Sequence, residues 1–90
     1  MNDQKKARLY ELLAKTDDPE DIKHLLEDLC TKKEVINMAE RLYAAELLLQ
    51  GNTYNQVMAL SDISSATLSR VSQCVQYGVG YSKLLKEKNS

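Results

Sequence analysis

Apolar positions along this chain recur at helical spacing, interrupted by short polar breaks. Leu9, Leu12 and Leu13 make one stripe and predict a helix over roughly 3–15. The break that follows reads Thr16-Asp17-Asp18-Pro19. Asp18 suits an N-cap, Pro19 suits the first helical position, and Asp21 favours the positive helix start. A second helix is expected from there to about Cys30, with Ile22, Leu25, Leu26 and Leu29 inward.

Thr31-Lys32-Lys33-Glu34 has the form of a capping box, in which Thr and Glu satisfy each other's free backbone donors. It opens the longest predicted helix, about 32–50. That helix carries Val35, Ile36, Met38, Ala39, Leu42, Tyr43, Ala45, Leu47, Leu48 and Leu49. These fill far more than one stripe, and a helix apolar most of the way round must be covered on most sides. A short chain supplies little cover, so a second subunit is the expected source.

Gly51 is placed to end this helix in the left-handed conformation. Thr53-Tyr54-Asn55-Gln56 is a second capping box, starting a short helix over roughly 54–60. Ser61-Asp62 reads as a turn, with Asp62 a candidate for positive φ. Ser64 then caps a helix running to about Gln76. Gly78 and Gly80 break the chain before a terminal helix over 81–88. The fold class is therefore all-α, six helices in a single domain, 1–90. Within it 1–50 is the expected dimerisation core and 53–76 the expected helix-turn-helix.

Charge changes the picture by its distribution. The net charge is -1. Residues 1–50 hold eight basic and eleven acidic side chains, whereas 51–82 hold only Arg70 and Asp62. Lys83, Lys86 and Lys88 outweigh Glu87 at the end. The acidic half is a poor face for nucleic acid, and the C-terminal half is a tolerable one. Cys30 and Cys74 stand far apart with no metal-ligand spacing and read as reduced cytoplasmic thiols. The sequence starts with no apolar leader and holds no run of membrane-spanning length, so a cytoplasmic protein with no membrane partner is expected.

Candidate function lies in residues 54–73. A helix-turn-helix needs two short helices that pack nearly at right angles, the second free to enter the major groove. Val57, Leu60, Ile63, Leu68 and Val71 form the expected buried set. The outward residues of the second helix are Ser64, Ser65, Thr67, Ser69, Arg70 and Gln73: short hydrogen-bonding groups and one arginine, the commonest specific reader of guanine. Tyr54 and Asn55, opening the first helix, are further candidates for DNA contact. The competing interpretation is a short amphipathic helix with solvated Ser and Thr, which leaves a helical protein–protein interaction module as the alternative. No Ser–His–Asp set or phosphate-cradling glycine loop is visible, so neither catalysis nor a cofactor is expected. His24 lacks ligand partners, and no metal is expected.

The stretch from about Leu25 to Lys86 resembles the Trp repressor family, in particular its Trp-repressor-like branch of Gram-positive bacteria. The resemblance rests on Leu29-Cys30-Thr31, Glu40-Arg41, Glu46-Leu47-Leu48-Leu49-Gln50-Gly51 and Ala66-Thr67-Leu68-Ser69-Arg70. It implies an intertwined homodimer with the long third helices at its core. Two recognition helices then meet a pseudo-palindromic double-stranded operator about one DNA turn apart. The implied function is transcription regulation, by repression. The resemblance also outlines a small-molecule effector pocket at Thr31, Arg41, Arg70, Val71 and Cys74. Two features argue against tryptophan as its occupant. Val71 stands where the family has glycine and would occupy space the indole needs. Cys74 stands where the family has serine, and a thiol is a weaker hydrogen-bond partner.

Overall fold

The computed structural model describes the backbone of residues 2–89 and the side chains of residues 2–86. The described residues form six α-helices: α1 Asn2–Lys15, α2 Pro19–Leu29, α3 Lys32–Leu49, α4 Tyr54–Leu60, α5 Ser65–Tyr77 and α6 Gly80–Asn89. The fold is all-α. The chain divides into two compact units, Met1–Val35 and Ile36–Ser90.

In the first unit the helix ends are set by local side chains. The Thr16 hydroxyl donates to the Leu12 carbonyl at 2.8 Å and closes α1. Asp18 caps α2 by accepting from Glu20 N–H at 3.0 Å, with Pro19 in the first turn. Neither helix holds a fully buried residue. Leu12, Leu13, Ile22, Leu25 and Leu26 are half-buried. Leu29, expected inward, is 56% exposed in this chain. It is the last residue of α2, and Cys30 after it is already extended, its N–H bonded to the Leu26 carbonyl.

The capping box at the start of α3 is formed as the spacing predicts. Thr31 N–H donates to Glu34 Oε1 at 2.7 Å, and Glu34 N–H donates to Thr31 Oγ1 at 3.1 Å. The backbone bond from Thr31, aided by its hydroxyl, holds the Glu34 carboxyl below its ordinary pKa.

The second unit is built on the C-terminal part of α3. Gly51 has φ +97° and ends the helix. Its N–H donates to the Leu48 carbonyl and that of Asn52 to the Leu47 carbonyl, so two orphan carbonyls are satisfied in a Schellman motif. Thr53 and Gln56 then form the second capping box, opening α4. Ser64 caps α5 by accepting from Thr67 N–H at 3.2 Å. At the far end of α5 a Cβ on Gly78 would lie 2.6 Å from the Cys74 carbonyl oxygen, so only glycine makes this approach. Gly80, expected to interrupt the chain, is instead the first residue of α6.

One apolar cluster holds this unit together. Ala44, Ala45 and Leu47 of α3 join Val57, Ile63, Leu68 and Val71, with Leu48, Val75, Tyr81 and Leu85 packed around them. α4 and α6 both pack on α5. The rest of α3 is less covered: Ile36, Met38, Leu42 and Tyr43 are all exposed in the single chain.

Candidate nucleic-acid interface

The two short helices and their turn present the predicted polar face on a buried apolar base. Val57 and Leu68 are fully enclosed, and Val71 and Ile63 nearly so. Leu60 departs from the expected buried set, being 55% exposed. The half-buried place goes to Ser61, which turns its hydroxyl onto the Val57 carbonyl at 2.7 Å. A serine that bonds back to the preceding turn loses its polarity as a burial cost, and leucine is left outside. The turn itself is also different. Ser61 is extended, at φ -130° and ψ 165°, and no described residue other than Gly51 has positive φ. Asp62 therefore does not adopt the left-handed conformation. Its N–H donates to Glu40 Oε2 of α3 at 3.3 Å.

Ser64, Ser65, Ser69, Arg70 and Gln73 are exposed on α5. Thr67, expected outward, is half-buried, and its hydroxyl accepts from Ser64 Oγ at 3.0 Å. That bond and the cap commit both side chains to each other and to the helix start. Ser65, Ser69 and Gln73 follow at four-residue intervals, so they line one exposed face. Arg70 lies beside that row and makes no ion pair with any described residue. Among the described residues the ion pairs, Arg8–Glu11, Lys15–Glu11 and His24–Glu20, all lie in α1 and α2. Tyr54 and Asn55 occupy the first turn of α4, both exposed. The arrangement offers hydrogen-bond donors and acceptors on short stems, one free guanidinium, and the first N–H groups of a capped helix. This is chemistry suited to base edges and phosphate oxygens.

The residues outlined for an effector each have their own local surroundings. Thr31 is engaged in its capping box. Arg41 is exposed, and its Nε donates to the Asn37 carbonyl at 3.3 Å. Val71 is 2% exposed within the apolar cluster. Cys74 lines an open apolar pocket of about 460 Å³, together with Leu42, Gly78, Tyr81, Leu84 and Leu85. Sequence reasoning missed this pocket, which depends on where α6 returns against α5. It also missed the role of Glu40, although Glu40, Ala44 and Leu47 share one helical face. Among the described residues no group of three or more His, Cys, Asp or Glu is placed to hold a metal ion. No described helix is long and apolar enough to cross a membrane.

Comparison with known proteins gives a consistent result. The model of the Trp repressor protein family matches residues 4–89. The uncharacterized protein YerC of Bacillus subtilis (strain 168) is 37% identical over 71 residues, which is 79% of this chain and 68% of YerC. A crystal structure from Staphylococcus aureus, described as a candidate Trp repressor, superposes with a TM-score of 0.89 at 30% identity. The match covers 96% of this chain and 87% of that one. The crystal structure of a TrpR-like protein from Eubacterium eligens ATCC 27750 also gives 0.89, at 26% identity over 96% and 90% of the two chains.

Proposed function

This chain belongs to the Trp repressor family, and from that premise we propose that it is a sequence-specific regulator of transcription, a repressor that binds double-stranded DNA as a homodimer. The observation that carries this reading is the outer face of α5. Ser65, Ser69 and Gln73 stand in an exposed row beside Arg70, which has no ion-pair partner among the described residues, on a helix whose inner face is locked by Leu68 and Val71. In this reading Arg70 makes a bidentate base contact or a charge-assisted phosphate contact. Ser64 and Thr67 hold the helix start that faces a phosphate, and Tyr54 and Asn55 reach the backbone from α4.

The exposed apolar surface of α3 supports the homodimer. Its exposed Ile36, Met38, Leu42 and Tyr43 form apolar surface that a second copy would cover. A twofold axis then presents two α5 helices about one DNA turn apart, roughly 34 Å, to a pseudo-palindromic operator. The protein works in the cytoplasm, where its DNA is. If a small molecule modulates it, tryptophan is a disfavoured one, because the resemblance sets the core-packed Val71 where the family has glycine and Cys74 where it has serine, a weaker hydrogen-bond partner.

Selection of bound duplexes from a random 30-base-pair library tests the proposal. The wild-type protein should enrich a pseudo-palindrome and hold it in a salt-dependent manner. Arg70→Ala should keep the fold and lose about 1–3 kcal/mol of binding per subunit. If no duplex is enriched and retention is indifferent to salt, the fold serves protein–protein contact instead.

A further inference from the structure

Every other side-chain hydrogen bond among the described residues closes within five positions of the sequence; the bond from Asp62 N–H to Glu40 Oε2 spans 22. It joins the turn between α4 and α5 to the long helix α3. We propose that Glu40 is the positioning residue of the reading head, setting the angle at which α5 is presented. The proposal rests on the DNA-binding reading above and deepens it.

The geometry explains why a polar tie is needed there. Glu40, Ala44 and Leu47 lie at i, i+4 and i+7 on one face of α3. Ala44 and Leu47 meet the reading head through the apolar cluster. Apolar contact is non-directional, and alanine offers no ridge to block sliding. A carboxylate bonded to a backbone N–H is directional and charge-assisted. Beyond the apolar seat of Ile63 in that cluster, the turn makes no other hydrogen bond to α3 among the described residues. Ser61 Oγ and Ser61 N–H both bond back to Val57 within α4, and Ser64 bonds forward into α5. α3 also carries the apolar surface assigned above to the dimer, so the bond couples the orientation of each α5 to the dimer itself.

The test compares Glu40→Met, which keeps length and helix propensity but removes the acceptor, with Glu40→Gln, which keeps an acceptor oxygen. Amide exchange at Asp62 is followed by NMR. Affinity is measured for a duplex enriched by the wild-type protein and for the unselected library. Glu40→Met should melt and sediment like wild type. Its Asp62 amide should exchange about tenfold faster, and its affinity for the enriched duplex should fall about tenfold with library affinity unchanged. Glu40→Gln should restore both. An Asp62 amide unprotected in the wild-type protein overturns the proposal whatever the variants do. So does a Glu40→Met protein with unaltered Asp62 exchange or unaltered discrimination, or a Glu40→Gln protein that behaves like Glu40→Met. If the wild-type protein enriches no duplex, the DNA reading fails separately, and Asp62 exchange alone decides whether Glu40 holds the turn.

Discussion

Ile36→Ser isolates the dimer proposal, because it separates covering by a partner from helix formation. Serine and isoleucine have similar helix propensities, so α3 itself is little disturbed. Ile36 is 59% exposed in the single chain. Complete burial of such a side chain is worth about 1.5–3 kcal/mol, so covering the exposed part contributes about 1–2 kcal/mol per copy. A twofold dimer holds two copies, and the loss on substitution becomes roughly 2–4 kcal/mol. At about 1.4 kcal/mol per factor of ten, the dimer dissociation constant rises roughly 30- to 700-fold. Were the chain stable alone, an exposed position such as this would change stability by no more than about 0.5 kcal/mol. Sedimentation equilibrium across a dilution series reads the constant directly. Thermal melting reads it indirectly, since a fold coupled to dimerisation melts higher at higher concentration. A wild-type protein that is a folded monomer at micromolar concentration refutes the reasoning, as does a variant with an unchanged constant.

Gly51→Ala tests the helix end. The added Cβ meets nothing within 4 Å, so the cost is the backbone strain of φ +97° alone, about 1–2 kcal/mol, and denaturant unfolding should show it. An unchanged midpoint would mean the helix end has relaxed elsewhere. Glu34 gives a pH dependence. Its folded pKa lies below its unfolded value, so the capping box contributes stability above the unfolded value and loses it as pH falls through the folded one. Glu34→Gln should flatten the acid limb of the stability profile, and an identical limb in both proteins would show that the box is not formed in solution. Titration with L-tryptophan should give no heat below about millimolar, since forcing a ring against a filled core typically costs about 1–3 kcal/mol. A micromolar dissociation constant would mean that the backbone around Val71 opens.

The features that the sequence alone determines here are those made by neighbours along the chain. α4 was expected over 54–60 and is found at Tyr54–Leu60, because Thr53 and Gln56 close their capping box within one turn. The end of α3 at Gly51 and the starts of α2 and α5 at Asp18 and Ser64 were equally readable, each being a bond between residues two to five positions apart. The inward faces of α4 and α5 were readable because the helical period places Val57, Leu68 and Val71 on them whatever the partner. Tertiary structure decided the rest. Periodicity placed Leu60 inside, but the extended Ser61 and its bond to Val57 give the half-buried place to a serine. The outward turn of Leu29 depends on where the chain goes after Cys30. The pocket beside Cys74 needs α6 to come back against α5, and the bond from Asp62 to Glu40 needs the turn to cross α3 at one height. A hydrogen bond within a turn of helix is specified by spacing, whereas a contact across 22 residues exists only once the helices have taken their crossing angles.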